Sequence, residues 1–179
     1  MQMKVGTLKS NNDDALGSKL RGVKSRLDEA GVCWAVFAGA AAHCYGSKRK
    51  VTDIDILVKD ADLRKAKTVL KDVEGIDVVG DLRMNVGGGT FLFFIDDEMA
   101  KKIQHRRLFG VEVPVVPVED NIIFKAILQR TEEQDKHDTE DIKCMIRNEK
   151  VNTEYLKGRM KKYNAEKRVA PLLKSLGLF

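Results

Sequence analysis

The chain has only three cysteines in 179 residues, and Cys33, Cys44 and Cys144 are too far apart to form a CxxC pair. That argues against a zinc site and fits reduced, mostly buried thiols in a cytoplasmic protein. No run of 18 apolar residues occurs, so no membrane span or membrane partner is expected. The opening residues MQMKVGTLKSNNDD lack the apolar stretch of a secretory signal. His43, His105 and His137 are scattered without metal-ligand spacing. No GxGxxG is present, and Gly46-Ser47-Lys48 places Ser before Lys, the reverse of a P-loop. No Ser-His-Asp or Cys-His arrangement and no internal repeat stands out.

What is present can build a core. Hydrophobic residues make up 43% of the chain, enough for one domain with or without a helical appendage. The net charge is +5, unevenly placed: residues 150–179 hold eight Lys or Arg against two Glu. Such a segment can track a nucleic-acid backbone or can be an ordinary solvated helix face.

Apolar spacing predicts a helix over 12–30, capped by Asn12 or Asp13 and ended by Gly31. A buried strand over 32–38 and a short helix over 40–45 follow. Further strands are expected at 54–58, 76–79, 90–95 and 111–118. Pro114 and Pro117 suggest that the last is an edge strand. Helices are expected over 61–73, 97–108, 119–129, 132–147, 152–163 and 165–176. The pattern predicts an α/β fold: a mixed sheet flanked by helices over 1–118, then a C-terminal helical region over 119–179.

The chemistry concentrates in Gly39 to Val58, GAAAHCYGSKRKVTDIDILV. Asp53 and Asp55, two residues apart on a strand, share one face, while Ile54, Ile56 and Val58 take the other. Two carboxylates at the edge of a buried strand are costly without a cation between them. Mg2+ (or Mn2+) suits hard oxygen ligands and keeps positions open for phosphate oxygens. Gly39 lets a backbone approach a phosphate closely. Lys48 and Arg49 can contact phosphates or belong to a solvated loop.

This run resembles the nucleotidyltransferase superfamily, which includes DNA polymerase beta and the CCA-adding enzymes. The likeness rests on Gly39-Ala40, Gly46, Arg49 and Thr52-Asp53-Ile54-Asp55. Downstream, Glu119 to Lys125, Asp135-Lys136-His137-Asp138 and Asp141 are similar to the abortive-infection toxin branch, so the resemblance covers roughly residues 30 to 146. It implies transfer of a nucleoside monophosphate from an NTP to a hydroxyl acceptor in RNA, protein or a small molecule. Asp53 and Asp55 would be catalytic metal ligands, and Gly39, Ala40, Gly46, Arg49, Lys125, Lys136 and Asp138 would contact nucleotide.

Ala40 lacks the hydroxyl that Ser offers at this position in the family. Asp138 and Asp141 can also bridge the two helices, for instance to Lys125. The family's third metal carboxylate aligns with Leu92, which cannot ligate; Asp96 is the nearby substitute, unless Asp96-Asp97-Glu98 only caps a helix. Implied partners are an RNA or tRNA acceptor at the basic C-terminal region and an antitoxin or helical protein. The alternatives are a nucleotide- or nucleic-acid-binding module that has lost the third acid, and a structural RNA-binding protein.

Overall fold

The computed structural model describes residues 4–179, with side-chain surroundings from residue 12 onward. The chain folds as a mixed α/β layer. A long helix, α1 (Lys4–Glu29), leads into β1 (Trp34–Phe37), α2 (Ala38–Cys44) and β2 (Ile54–Val58). After α3 (Leu63–Val69) come β3 (Ile76–Val79), β4 (Leu82–Val86) and β5 (Gly89–Phe93). Then follow α4 (Asp97–Ala100), β6 (Gln104–Leu108) and β7 (Val111–Val115). Four helices close the chain: α5 (Val118–Leu128), α6 (Asp138–Asn148), α7 (Thr153–Lys162) and α8 (Glu166–Ser175).

Five strands form one sheet in the order β3-β2-β1-β7-β6. β1 runs antiparallel to β2 and parallel to β7, and β2 runs parallel to β3. The β4–β5 hairpin is a separate two-stranded sheet. Its turn is Gly87-Gly88, with φ of 57° and 76°, the left-handed pair that a two-residue hairpin turn requires.

Four sequence expectations change. The stretch 97–108 is not one helix: α4 stops at Ala100 and β6 begins at Gln104. Phe109 and Gly110, at φ 48° and 78°, make a two-residue turn that pairs β6 with β7, and this long-range ladder overrides the helical composition. β7 is interior, not an edge; its ladder with β1 is short, pairing Val36 with Val115, so Pro114 lies outside it and its missing N–H costs no bond there. The helix expected at 132–147 breaks at Asp135, where φ is 53°, and α6 proper starts at Asp138. Likewise α1 begins well before Asn12, so neither Asn12 nor Asp13 caps it.

Helix α5 is the axis of the packing. Every residue from Val118 to Ile127 is buried. An all-round buried helix must find partners for its polar groups. Asn121 accepts from the Ala38 N–H at 2.8 Å and donates to the Ala38 carbonyl at 3.1 Å, holding Ala38 at φ 58° where β1 turns into α2. Glu119 accepts from the Asn152 N–H at 2.7 Å. Asp120 accepts from Arg159 Nε and Tyr155 at 2.7 Å each and from Tyr163 at 2.6 Å, which pins α7 to α5. One continuous core runs from Leu20 on α1 to Leu173 on α8. No helix of the described residues is long and apolar enough to cross a membrane.

Candidate active site

The carboxyl-bearing face of β2 opens on a cleft of about 370 Å³. Ile54 and Ile56 point into the core and are fully buried, which turns Asp53 and Asp55 the other way. β3 adds a third acid. Parallel pairing sets Asp55 directly against Asp77, so both side chains stand on the same face of adjacent strands and line the same cleft. Burial, then the charges of Asp77 and Asp53, push the Asp55 carboxyl up to about 6, while Lys136 and Arg130 pull it the other way.

The opposite wall is cationic. Left-handed Gln129 and Asp135 reverse the chain between α5 and α6, presenting Arg130 and Lys136 to the cleft. Lys125, 3% exposed, sits between Asp138 at 3.0 Å and Asp141 at 2.8 Å. Asp138 also accepts from the Arg130 N–H at 2.8 Å and from Arg130 Nε at 2.9 Å. Burial by itself would raise the Asp138 carboxyl, but the Arg130 hydrogen bond and Lys125 hold it below its ordinary range. Asp141 accepts from Ser47 Oγ at 2.8 Å, and Arg49 stands 3.5 Å from its other oxygen. This network ties the loop after α2 to α5 and α6, and its carboxylates are the hydrogen-bonding partners of the buried Lys125 ammonium.

The ion pairs at the cleft all lie on this wall. Among the described residues Asp53, Asp55 and Asp77 join none, and Lys50 and Lys136 have no acid in range. Also among the described residues, no three acidic, histidine or cysteine side chains converge on one point as they stand. The site is therefore an acidic floor of three open carboxylates under a wall with unpaired ammonium groups. That donor set fits a hard divalent cation below and phosphates above.

The other residues singled out in the sequence divide. Gly39 lines the cleft, and a Cβ there would meet nothing within 4 Å. Ala40 is fully buried and outside the cleft wall. Gly46 is also elsewhere: at φ 108° it makes the turn after α2, and a Cβ would fall 2.4 Å from Asn148 Nδ2, so its role is backbone geometry. Lys125 reaches the cleft wall, but its ammonium is taken by Asp138 and Asp141.

Neither candidate for the third acid faces Asp53 and Asp55. The cross-strand pair Leu82–Phe93 turns inward, which turns the next pair, Arg83–Leu92, outward to solvent. Asp96 caps α4, accepting from the Met99 N–H at 2.8 Å, and pairs with Arg159 and Lys162 at 2.7 Å each. Burial opposes ionisation there, but those partners hold its carboxyl down to about 2. Its oxygens are engaged on the α7 side of the molecule, not in the cleft. The acid that sequence reasoning missed is Asp77. Its one local signal is a charged residue inside an otherwise apolar strand, Ile76-Asp77-Val78-Val79.

The basic C-terminal region is partly internal. Arg159 is fully buried among Asp96, Asp120 and Tyr163, and Lys162 is paired with Asp96 and Glu98. Lys167 and Lys174 remain exposed and join no ion pair among the described residues.

No protein-family model matches the chain, and no curated protein does. Solved structures share its fold. The solution structure of the antibiotic-resistance factor ANT(2'')-Ia superposes with a TM-score of 0.56 at 9% identity, over 86% of this chain and 94% of that one. The crystal structure of ANT(2'')-Ia in complex with adenylyl-2''-tobramycin gives a TM-score of 0.50 at 13% identity, over 82% and 95%. An antigenic nucleotidyltransferase-like protein from Paracoccidioides brasiliensis gives 0.49 at 14% identity, over 92% of each chain. The mixed sheet with flanking helices is the fold of the two ANT(2'')-Ia structures, a nucleotidyltransferase-like fold.

Proposed function

We propose that the chain is a metal-dependent nucleotidyltransferase that moves a nucleoside monophosphate from an NTP to an acceptor hydroxyl. The observation that carries this reading is the opposition, across one cleft, of unpaired carboxylates on β2 and β3 to unpaired cations at the start of α6 and before β2. The shared fold supports it. In the reaction a hydroxyl oxygen bonds to the α-phosphorus, the bond from that phosphorus to the bridging oxygen breaks, and pyrophosphate leaves. Catalysis of this kind is mainly positioning and charge stabilisation.

Asp53 and Asp55 would hold Mg2+ or Mn2+, with water and phosphate oxygens completing its coordination. When bound, the metal supplies Lewis-acid stabilisation of charge on the reacting phosphate. Asp77 takes the role that the family's third acid has on another strand, as a further ligand or as acceptor of the hydroxyl proton. Lys136, Arg49 and Lys50 bind the β- and γ-phosphates. The network around Lys125 fixes the loop that carries Lys136 and Arg130. Phe37, Phe124 and Leu82 supply apolar wall for the nucleoside.

A second reading is favoured by one observation, that no three acids converge as they stand. In it the cleft binds nucleotide without turnover. Transfer from each α-labelled NTP, with Mg2+ or Mn2+, to total RNA, cell protein and tobramycin separates the two. Label that Asp55→Asn and Asp77→Asn each reduce by about 10²-fold or more supports the transferase. Metal-dependent NTP binding without label supports the binding module, and absence of both removes the functional reading.

A further inference from the structure

The loop from Gly46 to Asp53 belongs to no helix or strand, yet it carries two of the cations that face the acidic floor. Its cations are consecutive, Lys48-Arg49-Lys50, and all three are exposed. In an extended chain Arg49 and Lys50 would point to opposite sides. Here the chain bends at Arg49, and both side chains line the cleft while Lys48 does not. The peptide plane between Arg49 and Lys50 sets both directions, because it is rigid and joins their Cα atoms. An exposed peptide outside regular structure keeps one orientation only if something binds it.

His43 binds this one. Its Nδ1 lies 3.3 Å from the Arg49 carbonyl oxygen, and among the described residues this is the one hydrogen bond to the Arg49–Lys50 peptide. A carbonyl only accepts, so Nδ1 carries the hydrogen and donates it. His43 stands in the last turn of α2, whose Ala38, Ala40, Ala41 and Ala42 are buried. Tyr45 anchors the end of that helix by donating to the Val116 carbonyl at 2.7 Å. The imidazole stacks on Phe109, with ring centroids 5.9 Å apart and planes 28° from parallel. Phe109 is fixed in turn: its carbonyl comes so close to α1 that a Cβ on Gly17 would fall 2.5 Å from it. The imidazole is therefore aimed by α2 and by the β6–β7 turn together. The other ties on Arg49 are looser, 3.5 Å from its N–H to Ser47 Oγ and 3.5 Å from Nη1 to Asp141.

We propose that His43 is a positioning residue for nucleotidyl transfer: through the Arg49 carbonyl it holds Arg49 and Lys50 towards the triphosphate. The inference rests on the transfer reading of the cleft and adds to it a residue that does not line the cleft. The effect of His43 passes through the peptide that it binds. Without that bond the peptide samples other orientations, and Kd for the triphosphate rises as the competent fraction falls. One neutral hydrogen bond sets the rise at about 2- to 10-fold.

The test is titration calorimetry of the full chain with Mg2+ and the tightest-binding of the four NTPs. Two substitutions separate the hydrogen bond from the ring. His43→Phe keeps a ring on Phe109 and removes the donor. His43→Asn removes the ring and keeps a donor, its Nδ2, near the place of Nδ1. The expected result is a Kd raised about 2- to 10-fold by His43→Phe and left within about twofold by His43→Asn. Arg49→Ala/Lys50→Ala weakens binding by about tenfold or more, and adding His43→Phe to it costs nothing further, as for residues that act through one another. An unchanged Kd in His43→Phe, or a loss in His43→Asn as large as in His43→Phe, overturns the positioning role. So does a His43→Phe loss that persists in full without the two cations, which is also what a misfolded variant gives. If Arg49→Ala/Lys50→Ala binds as tightly as the unaltered chain, the cleft reading stands and the role of His43 falls. Absence of NTP binding in the unaltered chain overturns the cleft reading, and the positioning role with it.

Discussion

Replacing Asp55 by Asn is expected to stabilise the metal-free protein while ending its chemistry. Asp55 is partly buried and faces Asp77 and Asp53, with only Lys136 and Arg130 as more distant positive charge, and its carboxyl is pushed up from 3.8 to about 6. A shift of about two units corresponds to ~3 kcal/mol, at 1.36 kcal/mol per unit, as an upper bound. The folded-state value lies above the unfolded one, so the folded chain keeps this proton longer. The penalty is absent below about pH 4, grows between about 4 and 6, and is complete above about 7. Asn cannot ionise and removes it. For a chain of this size each kcal/mol moves Tm by about 2–4 °C, so Asp55→Asn should raise Tm by about 3–10 °C at pH 8 in EDTA and by little at pH 4. Magnesium should narrow the gap at pH 8, because it stabilises the unaltered chain more than the variant. Thermal melts of both chains at the two pH values provide the check. A variant that melts lower at pH 8, or an equal gain at both pH values, would refute the argument that Asp55 is held in electrostatic strain by its neighbours.

Asp96→Asn should leave transfer within about twofold while lowering stability by ~1 kcal/mol at neutral pH, the full shift being discounted for the solvent that screens its ion pairs. The sign is opposite to that of Asp55: its lowered folded value makes the contribution present above about 4 and lost as pH falls through about 2, visible as convergence of the two chains' denaturant midpoints in acid. Lys125→Met leaves Asp138 and Asp141 buried without their ammonium and should cost ~3–5 kcal/mol in urea unfolding, and adding Asp141→Asn should recover part of the loss. Gly46→Ala should destabilise by ~1–3 kcal/mol through its positive φ and the collision with Asn148, and Asn148→Ala in the same chain should relieve the collision but not the backbone term. A double-mutant cycle measures the difference.

The segment from Gly39 to Val58 was legible because its information is local. The strand 54–58 lies where alternation places it, and its face is set by the two-residue repeat of a strand. Helices near 152–163 and 165–176 follow from spacing alone. The stretch 97–108 misled because acidic residues at its start and charged residues within it read as a capped helix. Its actual state is decided by the Phe109-Gly110 turn and a partner strand. The β4 strand, Leu82–Val86, also escaped notice, since its alternation is short and its pairing depends on the glycine turn that follows.

By itself, the sequence determined an α/β fold, a β1–α2–β2 unit that presents Asp53 and Asp55 on one face, and the basic character of the last thirty residues. Only the tertiary structure decided which third acid joins them and which cations are free. Asp77 reaches Asp55 because β3 pairs in parallel with β2 across an intervening helix, a register that no local pattern encodes. Asp96 is drawn away because Arg159, buried by the docking of α7 on α5, needs negative partners where water cannot reach. Carboxylates carry the same local signature whether they neutralise a buried guanidinium or stand open in a cleft; what distinguishes them is the charge that the fold places opposite.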